Sequence, residues 1–551
     1  MLVWKGKIRM EHRKVLILLT ALGLLTNARV CADPTKASAS ALFPAQKVTR
    51  DGTLVIGDSN PSTVINPVLV SSGVAVSVAH LVYSRLMRLD PKGEMEPELA
   101  QSWSISDDHL VYTFHLKPGI HFHDGVELTS DDVRFTYETI SDPLTHSPFA
   151  LGMRNVLEYR NPDRYEFQVV LKKPQLDFLN DLVAEILPAH LYRGGRIDAN
   201  PVNLKPVGSG PFKFGGWTSD GQIVLEANEN YFEGRPLLDR IVFKIYRGKS
   251  EVWSALMRGE VDMARFLRVE DYEQTKNDPS FKTYALPLPL FYGIFYDLNS
   301  FILQDLRVRQ AISCAINRPR MIRLFEKGYG LESWGPFQPG YWAYNPDIEK
   351  FNYDPVRSMK MLKEAGWADT DRSGILEKDG KPLVIRMLVD GKDSKLREIA
   401  MCIRQDLQEI GIRLEVIVYQ DPSEVIRNIK NVEAHLMLFY GSATDAHDAV
   451  KAWDSDDLHD EKTWLGHNTR LEIDKLTSLG RMATDRAERR QTYMKLQKIL
   501  YENQISCFLY FPYVFHAVSR RIQNTDELLD SFLPDYFIKK LYVDNRDTER
   551  G

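Results

Sequence analysis

Three short clusters in this 551-residue chain carry residue types that can do chemistry. The first is Gly441-Ser442-Ala443-Thr444-Asp445-Ala446-His447-Asp448, which follows the apolar run Leu436–Tyr440. Its carboxylates, hydroxyls and imidazole can hold a cation or exchange hydrogen bonds. The second is His121-Phe122-His123-Asp124-Gly125. Histidines two residues apart share one face of a strand, and His with Asp is a competent metal-ligand set. The other reading, which we adopt, is a structural turn ahead of a capped helix. The third is Asp369-Thr370-Asp371-Arg372-Ser373-Gly374, the first half of a calcium-loop pattern, but its twelfth position is Gly380 where a bidentate Glu is needed. A turn held by its own Asp side chains is the expected structure, with a weak calcium site as the alternative.

Catalytic signatures are missing. The sequence has no Gly-x-Ser-x-Gly, no His-Glu-x-x-His and no complete Gly-x-x-x-x-Gly-Lys-Ser/Thr phosphate loop, and Gly208-Ser209-Gly210 reads as a tight turn. The expectation is a binding protein with no enzymatic activity, cofactor or bound metal.

The elements that must position these residues are legible in the pattern of apolar side chains. Thr53–Gly57 is a strand that stops at Gly-Asp-Ser-Asn-Pro, which puts Asp58, Ser59 and Asn60 at its C-terminal end. Ala100–Ser106 and Leu110–Leu116 form a hairpin, and Thr129 three residues ahead of Asp132 starts a helix. Leu306–Asn317 is helical by its apolar spacing, and Asp354-Pro355 opens a helix that closes at Gly366. Strand Leu383–Val389, a helical stripe from Leu396 to Ile410 stopped by Gly411, strand Ile412–Tyr419, a short helix from Pro422 and strand Leu436–Tyr440 follow. This alternation implies parallel pairing through right-handed crossovers. In open α/β sheets ligands collect at the C-terminal ends of such strands, which is where the 441–448 loop emerges.

The N-terminus is a secretory signal. Lys5, Lys7, Arg9, Arg13 and Lys14 precede the apolar run Val15–Thr26, too short to cross a bilayer comfortably, and Val30-Cys31-Ala32 offers a cleavage site. Residues 1–32 are therefore read as removed and 33–47 as a flexible leader, giving a soluble periplasmic protein peripheral to the membrane. An uncleaved anchor and a lipid anchor on Cys31 are the alternatives. The chain carries 70 Lys+Arg and 75 Asp+Glu, and the signal takes six bases but one acid with it, so the mature protein is acidic and nucleic acid is an unsuitable partner. Cys314, Cys402 and Cys507 lack metal-ligand spacing and read as buried thiols, with one bridge as the alternative.

Several segments, in order, resemble the family 5 extracellular solute-binding proteins. Pro97–Trp103 with Tyr112–Gly119 is similar to "PxLAxSW … YTFxLRxG", and His121–Gly125 with Leu128–Val133 continues it. Gly208–Phe214 resembles "GTGPYKF", Asn228–Asp239 resembles "NPDYWxGxPxLD", and Asp305–Arg318 resembles "DxRVRQAxxxAIDR". The resemblance implies an α/β two-lobed periplasmic-binding-protein fold (type II, class C) with an extra subdomain in the first lobe. Residues 48–75, 207–291 and 509–551 would form the first lobe, 76–206 its inserted subdomain and 292–508 the second lobe. It also implies a monomer that encloses a small ligand, a peptide in the main reading, and delivers it to an ABC permease. Peptide-binding members hold the ligand's α-amino group with an aspartate of the loop here containing Asp445 and Asp448; Ala446 replaces the usual Pro, which leaves the choice between the two acids open. Tyr292, Tyr440 and Ser59 fall near the cleft by the same analogy. Trp334 and Trp453, in Gly- and polar-rich stretches, would stack on the ligand or fill the core. A nickel chelate, heme, sugar or opine-like cargo, or a chaperone or chemoreceptor adaptor, are the rival functions.

Overall fold

The structure, a computed structural model, describes residues 52–69, 73–89, 95–175, 178–421, 434–442, 449–450, 453, 467–483, 486–526 and 536–544. They divide into two compact units, one formed by the described residues of 287–513 and the other by those of 52–286 and 514–544.

The second of these, called here the N-terminal unit, is built on a sheet ordered Phe281–Pro287, Tyr510–Ser519, Met263–Ala264, Thr53–Asp58, Arg240–Ile245, Ile223–Ala227, Phe212–Trp217. Thr53–Asp58 pairs in parallel with Arg240–Ile245 and with Met263–Ala264. Period-two alternation turns Leu54, Ile56, Ile223, Leu225, Ile241 and Phe243 into one core. The same core takes in a four-stranded antiparallel sheet ordered Ala100–Ile105, Val111–Leu116, Glu166–Leu171, Val156–Asp163, and the helix Ser130–Ser141. That helix begins as expected: the Thr129 amide donates to the Asp132 carboxylate at 2.9 Å.

The histidine cluster is part of this scaffold. Gly208 N–H donates to His123 Nδ1 at 3.3 Å, and His123 Nε2 lies 3.0 Å from the Gly210 carbonyl. One nitrogen accepts and the other donates, so the ring is neutral, and burial pushes its pKa down to about 4. His121 bonds the Gly119 carbonyl at 2.8 Å and Asp124 pairs with His190 at 2.8 Å. Among the described residues no group of three or more His, Cys, Asp or Glu could hold a metal ion.

The Gly208-Ser209-Gly210 turn lies flat on the end of the helix Val74–Val82. A Cβ on Gly208 would meet the Val82 carbonyl oxygen at 2.1 Å, and one on Gly210 would meet the Leu81 oxygen at 2.6 Å. Backbone, not a movable side chain, blocks both positions. Gly208→Ala is expected to destabilise the protein by about 2 kcal/mol, seen as a lower urea midpoint at unchanged slope.

In Pro287–Tyr513 the sheet runs Arg413–Tyr419, Val384–Asp390, Leu436–Ser442, Leu290–Tyr296, Ser506–Phe508. Val384–Asp390 is parallel to both of its neighbours, as the alternation of elements implies. Its helix Ser394–Gln408 is capped by Asp393, which accepts from the Lys395 and Leu396 amides. The helix at Leu306 ends at Ala315, two residues earlier than its apolar spacing suggests. Asn317 caps a new helix, Arg318–Glu326, with Pro319 in its first turn, and a chain cannot be both the tail of one helix and the cap of the next. Asp371 and Asp369 accept from the Ser373 and Gly374 amides at 2.9 and 3.1 Å, so the Asp-rich loop is a self-bonded turn. Cys314, Cys402 and Cys507 are free and buried. The short helix expected from Pro422 lies outside the described residues.

Candidate functional site

The sheet of Pro287–Tyr513 gathers polar and aromatic groups at the C-terminal end of its parallel strands. Tyr292 and Tyr440 are direct cross-strand partners, and both are half-buried. They therefore point to the same face. The Tyr292 ring lies 5.0 Å from that of Tyr510, whose hydroxyl donates to Glu326 Oε1 at 3.0 Å. Lys395 Nζ reaches the same oxygen at 3.1 Å. Burial raises the Tyr292 phenol, and the charges of Glu326 and Asp393 add to it. Burial also raises Tyr440, helped by Asp393 and Asp390. Both phenols stay protonated at neutral pH, and each offers one O–H donor and an acceptor. Neutral phenols beside carboxylates can hydrogen-bond a polar backbone and favour a positive group over a negative one.

The other face of the same strands is a dry aromatic core, made possible by two glycines. A Cβ on Gly441 would meet the Phe291 ring at 2.5 Å, and one on Gly293 would meet Phe439 at 2.9 Å. Each phenylalanine covers a glycine on the neighbouring strand, which fixes the register that pairs Tyr292 with Tyr440.

Trp453 belongs to that core. It is fully buried, stacks near-parallel with Phe291 at 6.4 Å, and donates its indole N–H to Ser506 Oγ at 2.9 Å. Trp334 shares the same hydrophobic cluster, with the Arg318 guanidinium 4.9 Å from its ring centre. It also borders an open cavity of about 420 Å³ with Ile322, Arg323 and Glu332. Ser59 lies in the N-terminal unit, half-buried just past the strand Thr53–Asp58. Next to it, Asp58 accepts from the Asn60 amide at 2.8 Å and stands 3.8 Å from Arg265. The structure thus pairs Tyr292 with Tyr440, and places Trp334 and Trp453 in one hydrophobic cluster. Asp445 and Asp448 lie outside the described residues.

Tyr510, Glu326, Asp390 and Asp393 escape the sequence reading. The two aspartates follow the rule that picks out the 441–448 loop, since Asp390-Gly391-Lys392-Asp393 also leaves the C-terminal end of a parallel strand. Tyr510 and Glu326 give no such signal, because only the folded chain puts them beside Tyr292.

Residues 94–458 match the model of the bacterial extracellular solute-binding proteins, family 5. The chain belongs to this family, whose members bind solutes outside the cytoplasm and are not enzymes. It is similar to the oligopeptide-binding protein AppA of Bacillus subtilis, 29% identical over 94% of this chain and 96% of the relative. It is also similar to heme-binding protein A of Haemophilus influenzae, 27% identical over 71% and 74%. The structure of Bacillus subtilis AppA in complex with a nonapeptide superposes with a TM-score of 0.71 at 28% identity, covering 90% of this chain and all of that one. The mixed α/β fold is that of the two-lobed binding proteins. No helix among the described residues is long and apolar enough to cross a membrane.

Proposed function

We propose that this protein captures peptides in the periplasm, closes two lobes over them and hands them to an ABC permease without chemical change. The observation that carries the reading is the nearly full-length likeness to a relative whose structure holds a nonapeptide. The polar wall of Tyr292 and Tyr440 suits such a ligand, because an extended peptide presents unpaired N–H and C=O groups that phenols can satisfy. In this reading residues 1–32 are a cleaved signal, the mature protein is a monomer, and Asp445 or Asp448 neutralises the ligand's α-amino group. An ammonium leaving water for a closed site needs such a partner.

Calorimetric titration with synthetic peptides of three to nine residues tests this. N-terminal acetylation of the peptide and Asp445→Ala are each expected to weaken binding by roughly 10- to 100-fold, with little further loss when combined. If Asp448→Ala behaves this way instead, the contact moves to Asp448. No heat and no thermal shift with any peptide would sink the reading. A heme cargo is the second reading, motivated by the heme-binding relative. It requires hemin to bind, and to bind Asp445→Ala as well as the wild type.

A further inference from the structure

We infer that Phe266 is a ligand-contacting residue, held in a strained backbone conformation so that its ring and the Ser59 hydroxyl together receive the bound peptide. The inference rests on the peptide-capture reading above. Among the described residues eight non-glycines have positive φ. The others are polar or charged, and positions such as His109 in a hairpin turn and Lys327 at a helix C-cap are ordinary places for this geometry. Phe266, at φ 55°, carries a bulky hydrophobic ring, for which the left-handed region is costly.

The strain is imposed from both sides. Upstream, the Asp262 amide donates to the Val55 carbonyl at 2.7 Å, and buried Arg265 donates to Ser77 Oγ at 2.7 Å. Downstream, the Leu267 amide donates to the Phe515 carbonyl at 2.9 Å. These anchors leave Phe266 to absorb the turn. Its position is that of a ligand contact. Ile56 pairs with Met263 and Gly57 with Ala264 in parallel, and just past these strand ends Arg265 stands 3.8 Å from Asp58, so Ser59 and Phe266 each lie one residue beyond that contact. Both residues thus follow the C-terminal ends of adjacent parallel strands, where α/β sheets bind ligands. The half-buried ring rests edge-on against His516 at 5.4 Å and keeps part of its surface open. Rings held this way bury apolar side chains, or stack on peptide groups, at little entropic cost.

Two substitutions separate this role from plain packing. Phe266→Gly removes the ring and the strain together, while Phe266→Ala removes the ring and keeps the strain. With synthetic peptides of three to nine residues, both are expected to bind at least tenfold more weakly than wild type, and Phe266→Gly should melt no lower than wild type while Phe266→Ala melts lower. Phe266→Trp should give a larger fluorescence change on peptide addition than the wild-type protein, whose own tryptophans supply the baseline. If wild type binds peptide and both truncations bind within twofold of it, the assignment falls while the peptide reading stands. A wild type that binds no peptide overturns both. A Phe266→Gly protein that binds normally but melts much lower would make the ring a packing element only.

Discussion

Arg318→Ala is expected to cost about 4 kcal/mol of stability, enough to leave little folded protein in moderate urea. Arg318 is 1% exposed, yet no carboxylate is among its partners in the described residues. Its Nε donates to the Phe508 carbonyl at 2.8 Å, and Nη1 to the Ser313 and Phe351 carbonyls at 3.0 and 3.4 Å. Nη2 donates to Ser313 Oγ at 3.0 Å and contacts Cys507 Sγ at 3.2 Å, while the plane lies over Trp334. One guanidinium thus joins a helix end, a strand and a loop through their backbone oxygens. Removing it strands several buried acceptors and opens a cavity beside Trp334, and both effects destabilise. Arg318→Lys should recover less than half the loss, because a single ammonium cannot span the fork. Urea unfolding measures both, with exposed Arg134→Ala as a control expected to stay within about 0.5 kcal/mol. A loss under about 1 kcal/mol for Arg318→Ala would mean that the cage contributes little.

Arg318 also shows where reading the sequence succeeds and where it stops. As the last residue of Asp305–Arg318 it is part of a recognisable motif, but nothing in the motif says that it is buried without an acid. The same holds for Arg309, whose guanidinium is spent on the Leu303, Gln304, Asn503 and Gln504 carbonyls, the last two nearly two hundred residues away. Local signals were legible because they are local: the Thr129 box, the Asp354-Pro355 start and the parallel strands written in alternating apolar runs. Trp453 illustrates the opposite case. Its polar neighbours in sequence leave ligand stacking and core packing both open, whereas its neighbours in space are Phe291, Phe295, Phe439 and Phe508. Sequence distance hides that environment, since four of its contacts come from three other strands. The Tyr292–Tyr440 pair could be named from the family resemblance, but Tyr510 and Glu326 behind it depend on tertiary packing alone.

A large pH effect is expected at Glu98. This carboxyl is 1% exposed, and its Oε2 has no hydrogen-bond partner among the described residues. Nearby cations are already committed: Arg88 bonds Glu96 and Glu233, and Lys539 bonds Glu233 at 2.6 Å. Burial therefore outweighs the pull of Arg88 and Lys539, and the Glu98 pKa rises to about 7. Between the ordinary glutamate value near 4.5 and 7 the folded state holds a proton that the unfolded state has released, so this group's contribution is fully favourable below 4.5, is lost as pH rises from 4.5 to 7, and leaves its full penalty above 7. Glutamine mimics the protonated form at every pH. Glu98→Gln should exceed wild type by about 3 kcal/mol at pH 8, with the gap closing toward pH 4.5. His123 works in the opposite direction: its pKa is lowered to about 4, so its stabilisation is complete above 6.5 and is lost as pH falls toward 4. The two groups partly cancel in the wild-type profile, and only the difference between variant and wild type at each pH isolates Glu98. Urea unfolding from pH 4.5 to 8 supplies that difference, and a gap that does not change with pH would show that Glu98 has the same charge in the folded and unfolded chain throughout.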